Sequence, residues 1–284
     1  MKKQSIKITV AKNSGFCSGV KRAYGLACVN SKECDELYIL GKLVHNRDVC
    51  EDLKKRGIKE IKSLNDIEEG TVIFTAHGVG PGLYQKASDR GIKIIDSTCP
   101  KVIKAQRLAK NCAEKKYQVL IFGDKKHKEV ISIKEWSENK AEIVDSLPAA
   151  KKIKLDQKKK YRLVSQTTQN AEEFKKIIAY FQKEAAHFSY FNTICPSTDN
   201  RQEEIRKLAP QNDAVIIIGG RDSANSKRLF EISKKINPKT FFIQDEKGLK
   251  GKWLTDAKSA LIGAGASTPD RVIREVVDKI RKIS

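Results

Sequence analysis

One junction, repeated three times, constrains the fold of this chain more than any other feature. An extended apolar stretch runs into a cysteine, and a polar, helix-like segment follows at once. The three instances are IKITVAKNSGFC before SGVKRAYGLA, IKIIDSTCP before KVIKAQRLAKNC, and YFNTICP before STDNRQEEIRKLA. Their cysteines, Cys17, Cys99 and Cys195, stand 82 and 96 residues apart. Residue identity outside the junctions hardly repeats, so the repeat is structural: one cysteine per α/β unit, at the C-terminal end of a strand. Ligands of open α/β sheets bind at that edge. Three units facing one centre would bring the three thiols together.

The remaining pattern agrees. Strands are predicted at Ile6–Val10, Leu37–Leu40, Thr71–Thr75, Ile92–Ile95, Gln118–Phe122, Arg162–Val164 and Ala214–Ile218. Helices are predicted over Gly19–Cys28 and Asn46–Lys55, the latter with Val49 and Leu53 on one face. Short, apolar, β-branched runs separated by helical segments are the signature of parallel sheets built from βαβ units.

Composition narrows the function classes. Fifty-six basic against 35 acidic residues give a net charge of +21. Nucleic acid, anionic lipid or small acidic partners could all use such a charge. The lysines are scattered, however, and only Lys158–Lys160 form a run. With no Arg-rich tract, recognition-helix pattern or aromatic RNP-type strand, nucleic-acid binding is not expected. No apolar run approaches the roughly 18 residues that span a bilayer. The opening MKKQSIKITV reads as a strand rather than a signal peptide. The expectation is a cytoplasmic protein without membrane insertion. Seven cysteines with no CxxC pair argue against a disulfide scaffold, a zinc ribbon or a thioredoxin-like motif.

Three convergent thiolates at helix N-termini suit a metal or cluster, because the helix dipole favours the anionic ligand. Pro100 and Pro196 directly follow two of the cysteines, where a missing N–H costs nothing. Small hydrophobes at tight turns, a closed zinc site and an iron–sulfur cluster all remain open from these residues alone. Three of the four histidines, His45, His77 and His127, fall at strand ends or adjacent loops; His187 has no such setting. Two further junctions suit anions. VIIIGGRDSANSKRL places Ser223, Asn225 and Ser226 at a helix start, and LIGAGASTPDRVI places Ser267 before Pro269. Hydroxyls, amides and free N–H groups at a helix N-terminus fit phosphate oxygens, although each could be an ordinary cap.

In order along the whole chain, GFCSGV, LVHN, TAHGV, DSTCP, HKEV, SQTT, TICPSTDNRQ, SANS and GAGASTPD closely resemble the bacterial 4-hydroxy-3-methylbut-2-enyl diphosphate reductases, last enzymes of the non-mevalonate isoprenoid pathway. The resemblance implies three similar small α/β domains with mostly parallel sheets, arranged with pseudo-threefold symmetry around a central cluster site. Residues 1–97 would form the first unit, 98–193 the second and 194–284 the third, with an N-terminal strand able to pack with the third. By motif, Cys17, Cys99 and Cys195 would ligate a [4Fe–4S] cluster whose fourth iron is open to the substrate hydroxyl. His45, His77, Ser223, Asn225 and Ser267 would hold the diphosphate, with His127 also in the pocket. Glu129 would supply the proton, and Thr167 or Thr168 would complete its hydrogen-bond path. Flavodoxin or ferredoxin, with its reductase, would supply electrons.

Three positions depart from the family pattern. Ala224 replaces a second serine, so a hydroxyl is lost there while the backbone N–H remains. Pro196 stands where an aromatic residue is common after the third cysteine. VISIKEW follows Glu129 in place of a more acidic, Gly-containing stretch. The other four cysteines match no ligand position and read as packing residues.

Overall fold

Strand identity follows burial. The runs TVIF and AVIII are apolar at every position and buried at every position, as central strands covered on both faces must be. The computed structural model describes residues 5–283; Met1–Gln4 of the opening basic segment and the terminal Ser284 lie outside them.

In chain order the strands are β1 (Lys7–Val10), β2 (Leu37–Leu40), β3 (Lys59–Ile61), β4 (Thr71–Phe74), β5 (Lys93–Asp96), β6 (Gln118–Phe122), β7 (Glu142–Val144), β8 (Tyr161–Ser165), β9 (Phe188–Tyr190), β10 (Ala214–Ile218), β11 (Thr240–Ile243) and β12 (Ser259–Ala264). The helices are α1 (Ser18–Asn30), α2 (Arg47–Lys55), α3 (Pro81–Asp89), α4 (Pro100–Glu114), α5 (Lys128–Trp136), α6 (Leu147–Ala150), α7 (Ala171–Glu184), α8 (Pro196–Leu208), α9 (Ala224–Ile236) and α10 (Asp270–Ile283). The predicted strands and helices are present within a residue or two. β3, β7 and β11 are not among the predicted strands: all three are sheet-edge strands of three or four residues, β3 and β7 each carry at least one charged residue within their three positions, and β11, although apolar at Phe241–Ile243, is too short to stand out.

Among the described residues the strands form three four-stranded sheets, each parallel throughout. Their orders are β3-β2-β4-β5, β7-β6-β8-β9 and β11-β10-β12-β1. The three orders are one topology. The third sheet takes its fourth strand from the N-terminus, with Lys7 opposite Ser259 and Val10 opposite Ile262.

The chain divides into two compact units. One comprises the segment up to Lys21, Val44–Asp52 and everything from Pro196 on, and contains the β1/β10–β12 sheet. Its core sets Ile216, Ile218 and Ile262 against Val272, Val276 and Ile280 of α10. Those α10 positions fall four apart on one face, the stripe an amphipathic helix presents to a sheet. The second unit comprises Arg22–Leu43 and Leu53–Cys195 and contains the other two sheets. One of its cores stacks Phe122 and Phe174 with centroids 5.7 Å apart, beside Ile177 and Phe181. α7, which carries three of these residues, is capped by Asn170, whose side chain accepts the Glu172 and Glu173 N–H groups. Among the described residues no helix is long and apolar enough to cross a membrane.

Candidate functional site

The shared topology places the singled-out residues at equivalent points of the three sheets. His45, His127 and Ser223 each lie five residues beyond the equivalent strand of their sheets, the one paired with the β3, β7 or β11 edge: β2, β6 and β10. His77, Thr167–Thr168 and Ser267 follow β4, β8 and β12 by two or three residues. The cysteines follow the fourth strands: Cys17 after β1, Cys99 after β5 and Cys195 after β9. All nine positions are therefore C-terminal strand ends, where backbone leaves the sheet and side chains are free for ligands.

Each cysteine loop is pinned in the same way. The Cys17 N–H donates to the Ala266 carbonyl at 3.1 Å, Cys99 to Ala76 at 3.1 Å and Cys195 to Thr167 at 2.9 Å. In every case the acceptor lies two residues past the end of the neighbouring strand. All three are half-buried thiols, in no disulfide, at the mouth of a helix. Cys99 is the N-cap residue of α4, and the Cys17 Sγ accepts the Val20 N–H at 3.5 Å. Such N–H groups stabilise a thiolate. Of the remaining cysteines only Cys112 is fully buried, within the core beneath α4; Cys28, Cys34 and Cys50 are half-buried.

In the second unit, the loops after β6 and β8 bring Glu129 and Thr167 together. Glu129 is 2% exposed, in the first turn of α5. Its Oε1 accepts the Thr167 backbone N–H at 2.6 Å and its Oε2 accepts the Thr167 hydroxyl at 2.9 Å. Burial pushes its pKa up to about 7, against the two Thr167 hydrogen bonds that favour the ion; the Asp124 charge adds to the rise. Of the two threonines expected near the acid, Thr167 makes the contact, while the Thr168 hydroxyl accepts from Gln166 at 2.8 Å. Gln166 received no role from sequence reasoning, although the motif SQTT contains it. It is fully buried and its Oε1 also accepts the Asp124 N–H at 2.9 Å, which ties the β6 and β8 loops together.

His127 caps α5, its Nδ1 accepting the Glu129 N–H at 3.2 Å. A ring nitrogen that accepts there carries no proton, so a neutral His127 holds its proton on Nε2, as a donor. The His77 ring meets the His127 ring edge-on with centroids 5.4 Å apart.

The first unit gathers the other polar set. The register places Ile218 beside Ala264, so the loops after β10 and β12 are neighbours. Ser223 caps α9, accepting from the Ser226 N–H at 3.3 Å and the Ser226 hydroxyl at 3.0 Å. Ala224 begins the helix. Both amide atoms of Asn225 and the hydroxyl of Ser267 are buried without a hydrogen-bond partner among the described residues. Leaving a buried polar atom unsatisfied costs on the order of 1–3 kcal/mol, so three of them, in the first turn of α9 and in the loop after β12, point to a polar ligand. The chain segment carrying His45 lies against Gly220, where any side-chain carbon would overlap the His45 carbonyl oxygen.

The family model for the LytB protein matches residues 8–281. The chain belongs to the LytB protein family. A LytB-family relative from Geotalea uraniireducens (strain Rf4), named 4-hydroxy-3-methylbut-2-enyl diphosphate reductase, is 36% identical over 279 residues, covering 98% of either chain. The protein of that name from Clostridium perfringens (strain SM101 / Type A) is 38% identical over 282 residues, covering 97% of this chain and 99% of its own. Among solved structures, the E-1-hydroxy-2-methyl-but-2-enyl-4-diphosphate reductase of Plasmodium falciparum superposes with a TM-score of 0.92 at 27% identity, covering 97% of this chain and 88% of that one. A solved (E)-4-hydroxy-3-methyl-but-2-enyl diphosphate reductase, described as the terminal enzyme of the non-mevalonate pathway, is 36% identical with a TM-score of 0.69, covering 98% of this chain and 99% of that one.

Proposed function

We propose that this LytB-family chain is a 4-hydroxy-3-methylbut-2-enyl diphosphate reductase, converting its substrate to isopentenyl and dimethylallyl diphosphates. The observation that carries the reading is Glu129: a buried carboxyl group, held at both oxygens and able to give up a proton near neutral pH. Removing an allylic hydroxyl takes two electrons and two protons. Hydroxide leaves poorly, so one proton must reach the departing oxygen and the other the allyl carbon.

The donor set fits an iron–sulfur cluster. Three cysteines at helix starts, in no disulfide and with their N–H groups pinned alike, suit the role of anionic soft ligands. Cys17, Cys99 and Cys195 would hold a [4Fe–4S] cluster with one iron lacking a protein ligand. When bound, the cluster supplies the electrons and a Lewis-acidic iron for the substrate hydroxyl. Glu129 is the proton source, and Thr167 holds its carboxyl group in place. Ser223, Asn225, Ser267 and the Ala224 N–H accommodate the diphosphate. His45, His77 and His127 would add ring N–H donors, and Thr168, beside Thr167, is proposed as a further substrate contact. Fixing the diphosphate orients the reacting carbon before the proton moves.

We further propose α/β unit boundaries near residues 97 and 193, with β1 of the first segment completing the sheet of the third unit. Flavodoxin or ferredoxin with its reductase is the proposed electron donor, guided by the basic surface, and the cytoplasm is the proposed compartment, where thiols stay reduced. The assay is anaerobic: reconstituted protein, a reduced dye and the allylic diphosphate, with products separated. Both isopentenyl and dimethylallyl diphosphates are expected. No product from protein with a full iron complement would overturn the assignment.

A further inference from the structure

The loop that carries Cys17 is gripped along its length by α8. Glu204 of that helix accepts the Lys12 N–H at 2.6 Å, the Asn13 N–H at 2.9 Å and the Asn13 side-chain amide at 2.8 Å. One turn earlier, Arg201 is 6% exposed and donates from Nη2 to the Gly15 carbonyl at 2.7 Å. Its Nη1 donates to the Ser197 carbonyl at 2.8 Å and also bonds the Ser197 hydroxyl. The guanidinium therefore bridges the first turn of α8 and the peptide two residues before Cys17. Gly15 takes a φ of +89°, and a side-chain carbon there would press on the Asp270 carboxylate and approach Ile273. The turn therefore requires glycine, and Arg201 holds the carbonyl of that glycine. The Ser14 hydroxyl accepts the Ala264 N–H at 3.1 Å, and the Cys17 N–H goes to Ala266.

A planar fork that spans two backbone elements sets both distance and direction, which a lysine ammonium cannot do from one point. We infer that Arg201 is a positioning residue for Cys17, holding its loop in the ligating conformation through the Gly15 carbonyl without itself being a ligand. The inference rests on the reading of Cys17 as a cluster ligand. A parallel contact occurs in the second unit, where Arg22 donates to the carbonyls of Asp96 and Thr98, the latter the residue before Cys99, at 3.2 Å each. That side chain is exposed, whereas Arg201 is buried.

The test compares wild type with Arg201→Met, Arg201→Lys and Ser197→Ala in two measurements. The first is iron and sulfide uptake on anaerobic reconstitution. Groups that orient a metal's ligands change metal affinity by about 10- to 100-fold, so Arg201→Met should need at least tenfold more iron for half-loading. Arg201→Lys should recover part of the difference. The second is the alkylation rate of each cysteine in metal-free protein, resolved by peptide mass. Arg201→Met should change the rate at Cys17 severalfold and leave Cys99 and Cys195 unchanged. Should Arg201→Met fail to fold, Ser197→Ala and Arg201→Lys carry the same readouts, with the same selective change at Cys17 expected. Wild-type iron uptake together with an unaltered Cys17 rate in the variants would overturn the inference. A wild-type chain that takes up no iron would instead remove the reading beneath it.

Discussion

Glu129 and Thr167 meet twice: the backbone N–H of the threonine on one carboxylate oxygen at 2.6 Å, its hydroxyl on the other at 2.9 Å. Two donors on a carboxyl group with 2% exposure fix its direction without cancelling the cost of burying its charge. The balance leaves the group poised near neutrality.

That poise has consequences for turnover and for stability. Glu129→Gln should keep substrate binding and lose nearly all turnover, as judged by product formation against retained affinity. In wild type, turnover should fall as pH rises through about 7 and the acid is lost. Stability follows the same proton. The folded protein keeps it from the ordinary value of 4.5 up to about 7, whereas the unfolded chain releases it, so stability declines with rising pH across that window and levels off above it. The full decline is roughly 3 kcal/mol. Urea unfolding at a series of pH values should show this slope in wild type and lose it in Glu129→Gln; an equal slope in both would contradict the assignment.

Thr167→Val removes the hydroxyl donor and leaves the backbone N–H. The carboxylate then loses one of the bonds that favour its charged form, so the pKa of Glu129 should rise by about one further unit. The alkaline limb of the rate profile should move up with it, while the rate drops about tenfold from lost orientation. An unmoved limb would place the titrating group elsewhere.

Asn225 and Ser267 should show a trade between stability and binding. Because their polar atoms are buried without partners, Asn225→Leu or Ser267→Ala should leave the ligand-free protein as stable as wild type or about 1 kcal/mol more so. KM for the diphosphate should rise at least tenfold in either variant, kcat changing less. Thermal unfolding and steady-state kinetics on the same preparations check both halves.

Gly220→Ala tests the packing behind His45. The added carbon overlaps the His45 carbonyl oxygen, so the Val44–Asn46 backbone must move. Overpacking of this kind costs about 1–3 kcal/mol. The melting temperature should fall and KM rise together; Gly82→Ala, whose added carbon meets nothing nearby, is the control expected to do neither.

Much of this was legible in the sequence because the chemistry lies at strand ends. Cys99, followed by Pro100, and Cys195, followed by Pro196, announce helix starts, and α4 and α8 begin at those prolines. TVIFTA and VIIIGG announce buried strands before His77 and Ser223. Partners brought in from distant sequence were not legible. Nothing about Arg201 in a polar helical stretch says that it reaches a carbonyl 186 residues away, and Gln166 links its loop to Asp124 only once β6 and β8 pair. Edge strands such as β3, with two exposed residues of three, owe their form to a neighbouring strand rather than to their own pattern.

The most direct test of the account is the iron and sulfide content, with the visible spectrum, of protein purified or reconstituted without air, before and after the allylic diphosphate is added. The account predicts a thiolate-to-iron absorption that shifts with substrate in wild type and is absent from Cys99→Ser. Protein that stays colourless and iron-free after reconstitution, or a Cys99→Ser variant with a full iron complement, would contradict it.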